Sequence, residues 1–216
     1  MTTDLTARLF RLYTGAVHDV LRAAGHDRCV LPHELRPLDP TLKLAGPAWT
    51  FSGITDCTRS RHETLLAWTR VLSAAPAGHV LVCQPHNRQV ALMGELSAET
   101  LKSKGVLGYL ADGGCRDTDF ILAQRFPVFH RFFTPADIAA RWTADRLGEP
   151  VTIGDVTIRT GDFLLGDRDG VIVIPSELAE QVIAQTEQVA TTENQVRDAI
   201  RSGIDPVDAY LKYGKF

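Results

Sequence analysis

The sequence predicts an α/β fold, on two observations. Between residues 79 and 133, three short apolar runs alternate with two segments of helical spacing, the pattern of parallel strands joined by right-handed crossovers. Residues 151–175 then turn β-rich, and a helix-length segment follows. With 216 residues, 44% of them hydrophobic, the chain has apolar material for one sizeable core, and one domain spanning 1–216 is the expectation.

The elements follow in order. Residues 4–24 carry Leu5, Leu9, Leu12, Ala16, Val20 and Ala23 at helical spacing, with Gly25 as a stop. Residues 31–40 form a proline-broken loop, and 42–53 alternate as a strand interrupted at Gly46-Pro47. A helix is expected over 61–75, a strand over 79–84, and a helix over 90–104 apart from Gly94. A strand over 106–112 precedes the Gly113-Gly114 turn, a short helix covers 118–126, and a third strand covers 128–133. The β-rich stretch has turns at Gly154-Asp155, Gly161-Asp162 and Asp169-Gly170. Ser176 is the N-cap expected for a long helix ending at Gly203, and residues 205–216 read as a short docking helix.

Composition narrows the function. There are 23 Lys+Arg against 26 Asp+Glu, for a net charge of -3, which argues against a nucleic-acid-binding cationic face. Only five of the cations are Lys, and Arg is the better residue for gripping carboxylates through paired hydrogen bonds. No apolar run is long enough to cross a membrane, and the first residues lack a signal-peptide pattern. The four cysteines have neither zinc nor CxxC spacing, so a cytoplasmic protein with free thiols is expected.

Two clusters carry candidate chemistry. Asp112-Gly113-Gly114-Cys115-Arg116-Asp117 lies between a strand and a helix, at the sheet edge where α/β ligands bind. There Arg116 could clamp a carboxylate and Asp117 could bind Mg2+ or Mn2+; a helix-capping Asp with a surface Arg reads the same residues without function. The second cluster is Gly94-Glu95-Leu96-Ser97. A helix starting here offers the N–H groups of Leu96, Ser97 and Ala98 as an anion cradle with Glu95 at its mouth, or simply a first-turn Glu facing the dipole.

Twenty residues separate Glu95 from Arg116, and Asp117 follows at once. This D/E-x20-R-D spacing resembles the RraA-like superfamily, within it the metal-dependent 4-hydroxy-4-methyl-2-oxoglutarate / 4-carboxy-4-hydroxy-2-oxoadipate aldolases. Gly-Glu-Leu at 94–96, GYLADGGCRDTDFI at 108–121, FPVF at 126–129 and GDFLLGDRDGVIVIP at 161–175 extend the likeness over about residues 42–203. The resemblance implies a single swivelling β/β/α-type domain, assembled as a homotrimer or dimer of trimers with sites between subunits. It implies that Asp117 ligates the divalent metal, Glu95 holds metal-bound water, and Arg116 binds the pyruvyl carboxylate, with Gly94, Leu96, Ser97 and Ala98 forming its cradle. Glu193, on a neighbouring subunit's long helix, matches a further acid, and Arg141 a cationic side chain that helps bind substrate.

The activity so implied is cleavage of a 4-hydroxy-2-oxo acid to release pyruvate, with oxaloacetate decarboxylation through the same enolate. The residue types suit it: charge developing on the 2-oxo oxygen needs a metal and a cation. A lysine Schiff base is the other route, but four of the five lysines fall in a polar helix end or the tail, and Lys43 begins a strand remote in sequence from the cluster. The rival reading is an RraA-type regulator that inhibits a ribonuclease by binding protein; the family's regulators lack the metal-binding Asp after the Arg, and this chain has Asp117. Cys115 reads as structural, and His86, Asn87 and Arg88 as loop residues that could meet the substrate's distal half. Asp167-Arg168-Asp169-Gly170 reads as a hairpin turn.

Overall fold

The structure is a computed structural model that describes residues 2–215. Helices α1 (Thr2–Phe10) and α2 (Thr14–Ala23) open it, followed by β1 (Arg36–Pro37), the long β2 (Leu44–Thr55) and α3 (Arg61–Ala74). The alternating region contains β3 (Val80–Gln84), β4 (Ala91–Met93), α4 (Glu95–Ser103), β5 (Gly108–Ala111), β6 (Gly114–Cys115), α5 (Thr118–Gln124), β7 (Val128–His130) and β8 (Phe132–Phe133). Then come β9 (Trp142–Leu147), β10 (Val151–Ile153), β11 (Val156–Ile158), β12 (Phe163–Gly166) and β13 (Val171–Ile174). A 3-10 turn (Ser176–Leu178) leads into the long α6 (Ala179–Arg201), and α7 (Pro206–Tyr213) follows.

The main sheet runs β1-β7-β5-β3-β2-β12-β13, with β9 also paired to β2. Strands β2, β3, β5 and β7 are parallel, as the alternation requires. β2 is the spine: residues 44–47 pair antiparallel with β12, while 48–52 pair with β3 and 51–55 with β9. Strands covered on both faces are apolar on both. Leu81 and Tyr109 face the core under α3, α4 and α5, while Val80, Val82 and Leu110 face the opposite cluster with Val151 and Ile158. A third cluster packs Leu9, Val17, Leu21 and Ile183 against Leu165 and Ile174.

The strand expected over 128–133 divides into β7 of the main sheet and β8 of a separate three-stranded sheet, β2 runs unbroken through Gly46-Pro47, and three expected helices change. The helix expected over 4–24 is two helices. Lys43 Nζ donates to Leu12 O at 2.7 Å, and the Asp167 carboxylate accepts from Thr14 N and Oγ1 at 2.9 and 2.8 Å, so distant side chains cap a break that no local residue signals. The helix expected from 90 begins at Glu95, because residues 91–93 are buried as β4 beside β6. Ser176 lies in the 3-10 turn, and the α-helix starts at Ala179. The 167–170 hairpin turn stands, closed by Asp167 N donating to Gly170 O at 3.0 Å.

Candidate active site

A small parallel sheet, β4-β6-β8, lies beyond the carboxyl ends of β3, β5 and β7 and sets the site. Its strands end at Met93 and Cys115, so Gly94-Glu95 and Arg116-Asp117 leave adjacent strand ends together. Arg116 N donates to Met93 O at 3.0 Å, which locks the two segments. Glu95 N donates to Asp117 Oδ2 at 3.2 Å, and Arg116 Nε lies 3.4 Å from the same oxygen. Among the described residues Asp117 Oδ1 has no hydrogen-bond partner. The carboxylate is 39% exposed and Arg116 38%, so both can meet a ligand.

Two backbone features make this possible. Asp117 sits in the left-handed region (φ 55°, ψ 38°), which Asp tolerates better than most residues and which turns its side chain back toward the α4 start. Gly94 leaves space: a Cβ there would lie 2.6 Å from Asp117 Oδ2 and 3.3 Å from Arg116 Nε.

The structure brings together Gly94, Glu95, Leu96, Ser97, Arg116 and Asp117, but trims the expected cradle. Ala98 N already donates to Gly94 O at 3.0 Å, as a fourth helical residue should, leaving Leu96 and Ser97 as the first-turn donors. Ser97 is anchored from behind, its Oγ accepting from Trp68 Nε1 at 2.9 Å. Glu193 does not join the pair within one chain; its carboxylate accepts from Tyr13 Oη and lies 3.4 Å from Lys215 Nζ. Arg141 is exposed, and its guanidinium makes no hydrogen bond or ion pair among the described residues.

One residue escaped the sequence reading. Asp137 Oδ2 lies 4.0 Å from the Arg116 guanidinium, which is therefore bracketed by two carboxylates. Its only signal is its place in the loop after the third strand, where Oδ1 accepts from Ala139 N at 3.2 Å. Asp112, by contrast, faces a separate network: it pairs with Arg131 and lies 3.7 Å from Arg88, and Arg131 reaches Glu34 at 3.2 Å. Asn87 is consumed by its own loop and by the end of β2, accepting from Gln89 N and Val90 N and donating to Thr55 Oγ1. Cys115 is buried, and desolvation pushes its thiol up to about 12, the opposite of an activated nucleophile.

The donor set suits a hard dication. Among the described residues no group of three His, Cys, Asp or Glu side chains could hold a metal. Mg2+ does not need one, since it commonly takes one or two carboxylates and fills its shell with water and substrate oxygens. Asp117 Oδ1 could supply one such oxygen, and Glu95, whose N–H holds the other Asp117 oxygen, is the candidate for a second.

The chain belongs to the RraA-like family: the family model described as Aldolase/RraA matches residues 14–173. It is 27% identical over 183 residues to a Halalkalibacterium halodurans protein named "Putative 4-hydroxy-4-methyl-2-oxoglutarate aldolase", covering 84% of this chain and 83% of that one. Protein DlpA of Legionella pneumophila is 26% identical over 202 residues, 93% of this chain, but the chain spans only 32% of its length. Among solved structures, Streptomyces coelicolor RraAS2, titled an unusual member of the RNase ES inhibitor RraA protein family, superposes with a TM-score of 0.78 at 25% identity, covering 90% of this chain and 96% of that one. Another, titled as novel cellulases from gut-associated microbes, gives 0.85 at 33% identity over 90% of this chain and 87% of that one. No helix among the described residues is long and apolar enough to cross a membrane.

Proposed function

We propose that this chain is a divalent-metal-dependent aldolase that cleaves a 4-hydroxy-2-oxo acid of the 4-hydroxy-4-methyl-2-oxoglutarate type and releases pyruvate, with oxaloacetate decarboxylation as a side activity. The observation that carries it is the Asp117 carboxylate, fixed through one oxygen by Glu95 N and Arg116 with its other oxygen free. Family membership and the named aldolase relative support the reaction class.

In this reading Asp117, with Glu95, holds Mg2+ or Mn2+, which when bound supplies Lewis-acid stabilisation of charge on the 2-oxo oxygen. Arg116 grips the substrate carboxylate and adds its positive charge beside that oxygen, while Leu96 and Ser97 N–H groups orient the carboxylate at the α4 start. Glu95 positions the water that takes the C4 hydroxyl proton. The C3–C4 bond then breaks, C4 becomes a carbonyl, and the pyruvate enolate is protonated at C3. Schiff-base chemistry has no lysine for it. Lys43, Lys102 and Lys104 donate to main-chain carbonyls, Lys212 lies over Tyr213, and Lys215 pairs with Asp19. Assembly as a homotrimer or dimer of trimers, with Glu193 and Arg141 reaching a neighbour's site, completes the proposal.

A second reading, a protein-binding ribonuclease regulator without catalysis, is favoured by the likeness to RraAS2. Pyruvate release from a panel of 4-hydroxy-2-oxo acids and oxaloacetate, measured with Mg2+ or Mn2+ and after EDTA, separates the two. Turnover that EDTA abolishes supports the aldolase; no turnover of any panel member transfers the weight to the regulator.

A further inference from the structure

A cleft of about 1020 Å3 opens at the amino-terminal edge of the main sheet. Lys43, Leu107 and Pro127, which immediately precede β2, β5 and β7, line it. The candidate active site lies beyond the carboxyl ends of β3, β5 and β7, so the two face opposite sheet edges.

Three cations, Arg11, Lys43 and Arg125, line this cleft and no carboxylate does. Asp39 and Glu187 lie outside the lining but close enough for their charges to act on Arg125 and Arg11, and each is held by another partner: Asp39 accepts from Thr41 N and Oγ1 at 2.8 and 2.6 Å, and Glu187 is gripped by Arg8 at 2.9 and 2.7 Å. Lys43 covers the Phe10 and Leu12 carbonyls at the end of α1, which offsets the negative pole that would repel an anion. Arg11 and Arg125 make no ion pair among the described residues. Arg125 holds the left-handed C-cap of α5 (φ 52°, ψ 42°), where glycine would be unstrained; a guanidinium sits where backbone energetics would choose no side chain.

The walls between these charges are apolar. Phe10 is 51% exposed at the rim. An apolar trough lined by three cations and no carboxylate matches an amphipathic anion. We propose that this cleft binds an organic carboxylate with an apolar body, an aryl or alkyl acid, separately from the candidate active site.

The test uses the full-length protein and the fluorescent sulfonate 8-anilinonaphthalene-1-sulfonate, with neutral N-phenyl-1-naphthylamine as its uncharged counterpart. The sulfonate binds, phenylacetate or octanoate displaces it, and Arg125→Gly and Arg11→Ser each weaken it about tenfold, the worth of a charge-assisted hydrogen bond. Arg125→Gly relieves the left-handed strain, so loss of fold does not confound it. Four outcomes overturn the proposal: no sulfonate binding; binding indifferent to both substitutions; equal affinity for the neutral probe; or displacement by inorganic phosphate but not by the carboxylates. A fifth is dissociation of an assembly by Arg125→Gly in sedimentation, which would show a second copy filling the cleft. None of these readouts depends on pyruvate release, so this proposal and the aldolase reading fail independently.

Discussion

The Asp117 carboxylate accepts the backbone N–H of Glu95 at 3.2 Å across twenty-two positions of sequence. One oxygen thereby satisfies an orphan donor of helix α4 and the other stays free, so the bond both caps a helix and aims a ligand. Predictions about the site follow from that double role.

Asp117→Asn keeps a residue that tolerates the left-handed backbone and retains an oxygen for Glu95 N, but loses the charge. Pyruvate release is expected to fall by about 10²–10³-fold or more, the scale of losing a main electrostatic contact. Assembly and thermal midpoint should barely change. Steady-state kinetics beside sedimentation checks this; a dispersed assembly would make the residue structural.

Gly94→Ala places a methyl 2.6 Å from Asp117 Oδ2. The Asp117 side chain must swing out or the strand end must shift, and overpacking of this kind costs about 1–3 kcal/mol. Activity is expected to drop with a lowered midpoint of denaturant unfolding, whereas Ser97→Gly, on the same helical turn, leaves the Asp117 contact intact.

His130 ends β7 buried, its ring 4.4 Å from that of Phe133, and desolvation holds its pKa below the usual 6.5. The unfolded chain therefore takes up the proton first. Stability from the neutral ring is present above pH 6.5 and is lost as pH falls through the lower folded value. Urea unfolding at about pH 7.5 and about pH 5.5 should show the decline, and His130→Asn should flatten it.

Native alkylation should separate the thiols. Cys57 is exposed, whereas Cys29, Cys83 and Cys115 are buried, with desolvation pushing Cys29 up to about 11 and Cys83 higher still. Iodoacetamide followed by mass spectrometry should modify Cys57 alone until denaturant is added.

The parallel strands and α3 were legible because periodicity is a local property. The pairing of Glu95 with Arg116 and Asp117 was legible through the D/E-x20-R-D spacing that resembles the RraA-like superfamily. Features set by distant partners were not. Nothing near Arg11 announces that Lys43 and Asp167 will divide α1 from α2. Ala91-Leu92-Met93 is too short an apolar run to betray a strand until β6 lies beside it. Asp137 reaches Arg116 only through the path of its loop, which no periodicity encodes.

Strand β2 has a consequence for how the chain reaches this state. Its first residues need β12, more than a hundred positions later, while its next ones need β3, close behind. Neither flank can finish without waiting for the other, and such distant closure is entropically slow. A nascent chain halted after β9 would carry the unpaired start of β2 as an open edge, the kind of surface that recruits other chains.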